Sequence, residues 1–85
     1  MIRQMVYNLI DGEREYQDSL HERLNQNQIP LTGELVLLRA YLRKAEEVYT
    51  ETFGDSEEKP TMDIIRKIAG ICVRCMEHNE TPHRK

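Results

Sequence analysis

The chain has no tryptophan and a single phenylalanine among its 85 residues. Its core therefore has to be assembled from Ile, Leu, Val, Met and Tyr. A domain this short buries only about 60–65% of its unfolded surface. A core without large aromatics adds little beyond the entropy of ordering the chain, and oligomerisation is one usual remedy. No apolar run approaches the ~20 residues that span a membrane. The N-terminus lacks the basic region, uninterrupted apolar stretch and small-residue cleavage site of a secretory signal. There is no basic surplus either: the formal net charge is −3 with 32% charged residues, which argues against general nucleic-acid binding. Two cysteines on one helical segment point to reduced thiols rather than a disulfide framework. Together these absences predict a cytoplasmic protein.

Strand signals are missing too, since no alternating β-branched runs or hairpin turns flanked by them occur. What is present is helical periodicity. Helix one is predicted over residues 2–24, where Ile2, Met5, Val6, Leu9, Tyr16, Leu20 and Leu24 share one face. The same period passes straight through Asp11-Gly12, which reads as a weak point or kink rather than a turn. Residues 25–30 break the pattern, and Pro30 disfavours helix there.

Helix two is predicted over residues 33–53, with Thr32 as N-cap and a staple between Leu31 and Val36. Leu35, Leu38, Leu42, Ala45, Tyr49 and Phe53 run down one face, and Gly54 ends it. A charged linker over residues 55–59 leads to Pro60, which suits the first turn of helix three. Pro82 closes a single helical domain over residues 1–82, leaving 83–85 as a tail. The expected fold is all-α: three helices, helices two and three forming an antiparallel hairpin, completed by oligomerisation.

The last helix makes the case for self-association. Over residues 64–79, Arg66, Lys67, Arg74, Glu77 and His78 fall in one narrow arc. The remaining side chains are apolar over roughly 200°, about twice the stripe needed to dock on one core. Such a helix has to be covered on two sides.

Three constellations could carry chemistry. Glu13 sits at the centre of the apolar stripe of helix one, and Glu34 shares the face of Leu38, Tyr41, Ala45 and Val48. A buried carboxylate needs a cation, a metal or hydrogen-bond donors. The pair therefore reads either as a metal or polar-substrate site between helices, or as an N-terminal helix charge and a stripe-edge salt bridge. Next, Arg66, Lys67 and Arg74 surround Gly70 on an arc expected to be exposed, while Arg39 and Arg43 form an i,i+4 pair on helix two. Arginines combined with tyrosines such as Tyr16 and Tyr41 suit a phosphate-bearing nucleotide; the bland alternative is a solvated face with Arg43 paired to Glu47. Finally, Cys72-Val-Arg-Cys75 with His78 and His83 has zinc-like spacing but lies mid-helix among isoleucines, so inert helical thiols are expected. A glycine-rich phosphate loop, Gly-x-Ser-x-Gly and His-Glu-x-x-His are all missing.

The run Gly12-Glu-Arg-Glu-Tyr-Gln-Asp18, followed by Ile64-Ile-Arg-Lys-Ile-Ala-Gly and Cys75-Met-Glu-His-Asn79, resembles small tailed-phage proteins. These are in turn distantly similar to the MazG-like all-α nucleotide pyrophosphatases. The resemblance implies a nucleotide ligand and, where the acidic motifs are complete, Mg2+. Here the corresponding part of helix two, residues 34–42, keeps only Glu34 and helix three offers Asp63 near its start, whereas holding magnesium against a triphosphate takes several carboxylates.

The leading expectation is a phage-type homo-oligomer that binds a nucleotide-like molecule without hydrolysing it, as in sequestering a host defence signal. Its ligand-binding residues would be Arg66, Lys67, Arg74, Tyr16, Tyr41, Arg39 and Arg43, with no cofactor and no catalytic residue. One alternative is a metal-dependent nucleotide pyrophosphatase using Mg2+ at Glu13 and Glu34. Another is a module that docks on a host protein. Neither membrane association nor general nucleic-acid binding is expected.

Overall fold

The computed structural model describes residues 1–24, 29–51 and 58–84. Three helices follow in chain order: α1 (Arg3–Leu24), α2 (Leu31–Glu51) and α3 (Lys59–His78). No strand occurs among the described residues. α2 and α1 both pack on α3, which is the central element. Glu34 at the start of α2 meets Arg74 near the end of α3, so these two helices run antiparallel as expected. None of the described helices is long and apolar enough to cross a membrane.

The helix starts rest on backbone groups. The Ile2 carbonyl accepts the N–H groups of Met5 and Val6 at 3.1 and 3.3 Å, and the Pro30 carbonyl accepts that of Glu34 at 3.0 Å. That last bond opens α2 two residues earlier than expected. Thr32 consequently lies inside the first turn and is not the N-cap, and Val36 points outward, 70% exposed, rather than stapling to Leu31. α3 likewise starts early, at Lys59, with Pro60 in its first turn, where a missing N–H costs nothing. α1 runs unbroken through Asp11 and Gly12. The expected break over 25–28, the Phe53 and Gly54 end of helix two and most of the charged linker fall outside the described residues.

The larger correction concerns which faces point inward. Among the described residues the buried apolar side chains are Ala45, Ile64 and Ile71, whereas Glu13, Arg14, Gln17, Glu34 and Arg74 are the buried polar ones. Ile2, Met5, Val6, Leu9 and Tyr16 of α1 stay exposed. On α2 the face of Glu34 and Ala45 is buried, while Leu35 and Leu42 remain 56% and 51% exposed. α3 turns Gly70 and Arg74 inward and leaves Met62, Ile65 and Met76 outside. The arc of α3 expected to face solvent is thus turned inward in part: Arg74 is buried on Glu34 of α2, Arg66 reaches Glu13 of α1 while half-exposed, and Glu77 and His78 stay exposed.

Candidate functional site

Gly70 fixes how α1 meets α3. A Cβ there would stand 2.7 Å from Glu13 Cγ and 2.7 Å from Gln17 Nε2. The bare backbone is thus occupied by two side chains of α1 and is not open to an incoming ligand, contrary to the expected exposure around this glycine. Glu13 is held from both sides: Arg66 Nε donates to its Oε1 at 3.2 Å and Gln17 Nε2 to its Oε2 at 3.2 Å. Gln17 also donates to the Lys67 carbonyl at 3.4 Å and accepts from Arg14 Nη1 at 3.3 Å. Arg14 in turn forks onto both Glu77 oxygens at 3.0 and 2.9 Å and reaches Asp18 at 3.0 Å.

Glu34 is 1% exposed and receives a two-pronged contact from Arg74, with Nε to Oε1 at 2.9 Å and Nη2 to Oε2 at 2.8 Å. This matches the fork of a guanidinium to the two oxygens of a carboxylate. Glu13 and Glu34 therefore each answer to a different arginine of α3. Arg66 and Arg74 are eight residues apart, roughly 12 Å along the helix axis. Among the described residues, no group of three or more His, Cys, Asp or Glu side chains gathers in a way that could hold a metal ion.

The ion pairs shift several groups. Hydrogen bonds from Arg14 hold the Glu77 carboxyl below the ordinary range and in return raise the Arg14 guanidinium. Burial pushes Asp63 upward, but hydrogen bonds from Arg66 and Lys67 outweigh it and leave Asp63 lowered. Burial, with smaller contributions from Cys75 and Glu34, raises the Cys72 thiol. Both cysteines are free and half-buried on α3, in keeping with weakly reactive thiols.

A half-open cleft of about 250 Å3 lies where the three helices converge. Tyr16, Glu13 and Gln17 of α1, Tyr41 of α2, and Lys67 and Arg74 of α3 line it, with Leu20, Leu37 and Ile71 as apolar walls. Four of the seven expected ligand residues, Tyr16, Tyr41, Lys67 and Arg74, thus share one cavity. Arg66 lines a neighbouring groove with Asp63, Gly12 and Glu13. Arg39 and Arg43 are exposed on α2 and are not among the cleft residues. Sequence reasoning missed Gln17. Its signal was its position one turn after Glu13, on the same face of α1.

The cleft combines two ring faces with mixed charge. Lys67 is half-exposed and touches Asp63 only at 3.4 Å, whereas the Arg74 fork is engaged with Glu34. Glu13 uses one hydrogen bond on each oxygen and keeps acceptor capacity, since a carboxylate offers about four lone-pair sites. Compared with protein-family models, with curated proteins and with solved structures, the chain matches none.

Proposed function

We propose that this protein binds a nucleotide-like ligand in the cleft between its three helices and does not hydrolyse it. The observation that carries the reading is the convergence of Tyr16 and Tyr41, from different helices, with Lys67 and the Glu13–Gln17 pair on one cavity. Tyrosine rings supply stacking faces, and a carboxylate beside an amide offers acceptors and a donor to a base edge. Lys67 at the rim supplies a movable cation for a phosphate. At about 250 Å3 the cavity lies just below the ~300 Å3 of the smallest common ligand sites. It suits a base, or a base with its sugar, with phosphate outside.

The donor set favours binding over metal-assisted hydrolysis. Magnesium-assisted cleavage of a polyphosphate needs carboxylates with room for a metal, and here Glu13 and Glu34 are bonded to Arg66 and Arg74. Native mass spectrometry with a panel of linear and cyclic nucleotides tests the reading. Discrete additions of intact ligand are expected, weakened about 5- to 150-fold by Tyr41→Ala, since base–aromatic stacking is worth ~1–3 kcal/mol. Lys67→Ala should weaken phosphorylated ligands more than the corresponding nucleosides. Equal affinity in wild type and a Tyr16→Ala/Tyr41→Ala double variant would remove the site, and release of pyrophosphate would restore the hydrolase.

A further inference from the structure

The outward side of the hairpin carries two apolar seams. On α2, Leu31, Leu35, Leu38 and Leu42 follow each other at spacings of four and three. On α3, Met62, Ile65, Ala69, Cys72 and Met76 do the same. This is the alternation by which one helix presents a continuous stripe to another. Neither seam contains a charged residue. Leu31, Leu35, Leu42, Met62, Ile65 and Met76 are all exposed. The face continues onto α1, where Val6 and Leu9 join Met62 and Ile65 around a mainly apolar groove of about 430 Å3 that Lys59, Asp63 and Arg66 also line.

We propose that this face is the contact with a second copy of the chain, so that two α2–α3 hairpins close into a four-helix core with both α1 helices outside. The area is sufficient. Aromatic side chains bury about 150–250 Å2 each, and these aliphatic ones are smaller. The partial exposure of the six seam residues plus Val6 and Leu9 therefore leaves at most roughly 800 Å2 per protomer if all of it is covered, the share one partner contributes to a standard stable interface. The protomer is also elongated, with a long side along its helices. Its radius of gyration is 14.4 Å, whereas a compact domain of this length has about 12 Å.

The occupant is a like chain because the need for cover is permanent. Among the described residues the fully buried apolar side chains are Ala45, Ile64 and Ile71, a small core beside buried ions that are costly to desolvate. The face must then be covered whenever the protein is folded, and the partner always present in matching amount is the chain itself. The shapes agree with self-pairing. Small residues, Ala69 and Cys72, occupy the middle of the α3 seam between Met62 and Met76. That shallow centre suits the leucines at the middle of a second copy's α2, as large and small residues alternate across packed layers.

This inference stands on exposure and spacing alone and is tested without ligand. Sedimentation velocity and native mass spectrometry should show twice the 10.1 kDa chain mass. The melting temperature should rise with protein concentration, because dissociation accompanies unfolding. Leu35→Glu combined with Leu42→Glu should abolish the dimer, whether the chain then unfolds or remains a helical monomer. Val36→Glu, exposed but off the seam, should leave it unchanged. A monomer with a concentration-independent melting point overturns the proposal. So does an oligomer that survives the double substitution, or a 1:1 complex with a different protein in place of the dimer.

Discussion

The two interfaces of α3 are built on opposite plans. Against α2 it places one fully buried ion pair, Arg74–Glu34, beside Ala45, Ile64 and Ile71. Against α1 it places a chain of ionic and amide contacts, Arg66–Glu13–Gln17–Arg14–Glu77, whose outer members reach solvent. No apolar side chain of α1 is buried among the described residues. In the first interface water is excluded, so charges act strongly and errors are costly. In the second, solvent screens the outer members, and steric fit at Gly70 matters more than any single charge.

The sharpest way to break this contrast is to remove one member of the sheltered pair. Glu34→Ala leaves the Arg74 guanidinium without its carboxylate and should cost ~3–5 kcal/mol, read as loss of the cooperative denaturant transition by circular dichroism. Replacing both by leucine should recover most of that loss, since apolar groups of similar volume often match a buried ion pair. A double variant as unstable as Glu34→Ala would show that the pair contributes more than its own compensation.

At the α1 interface the largest effect should come from adding a methyl group. In Gly70→Ala the new Cβ meets Glu13 Cγ, a mid-chain atom that cannot swing clear as a terminal group can. Overpacking of this kind costs about 1–3 kcal/mol, which exceeds the ~1 kcal/mol that alanine gains over glycine in a helix. Urea titration should therefore place the variant's midpoint below that of the wild type.

The smallest effect is expected from acid. Glu77 and Asp63 have folded values held below their ordinary ones. Their contribution is complete above the unfolded carboxyl values near ~4 and disappears as pH falls through the lower folded values. Glu77→Gln should flatten the decline of melting temperature between about pH 5 and pH 2. An unchanged slope would show that the Arg14–Glu77 fork contributes nothing through its charge.

The helices themselves were legible in the sequence, because a 3.6-residue period and Pro30 and Pro60 are local signals. The orientation of α3 was not. Periodicity reports that a helix has two faces, and the ordinary rule then assigns the apolar one to the interior. That rule reversed at Arg74, which Glu34 of α2 holds in the interior, while Arg66 reaches Glu13 of α1 from the edge. The clue was visible in Glu13 and Glu34 standing where leucines belong, but matching them to cations on α3 needed the crossing point set by Gly70. The meeting of Tyr16 with Tyr41 depended on the same crossing, which no spacing along one helix contains.

Because α1 is docked by ions rather than by oil, its attachment answers to the ionic medium. In dilute buffer the electric field of these groups reaches tens of ångströms, whereas near molar salt it fades within about 3 Å. Salt therefore weakens chiefly the exposed outer members of α1's docking, Arg66 and Glu77, and leaves the sheltered Glu13 and Gln17 contacts largely as they are. The cleft, which takes Tyr16, Glu13 and Gln17 from that helix, exists only while α1 remains in place.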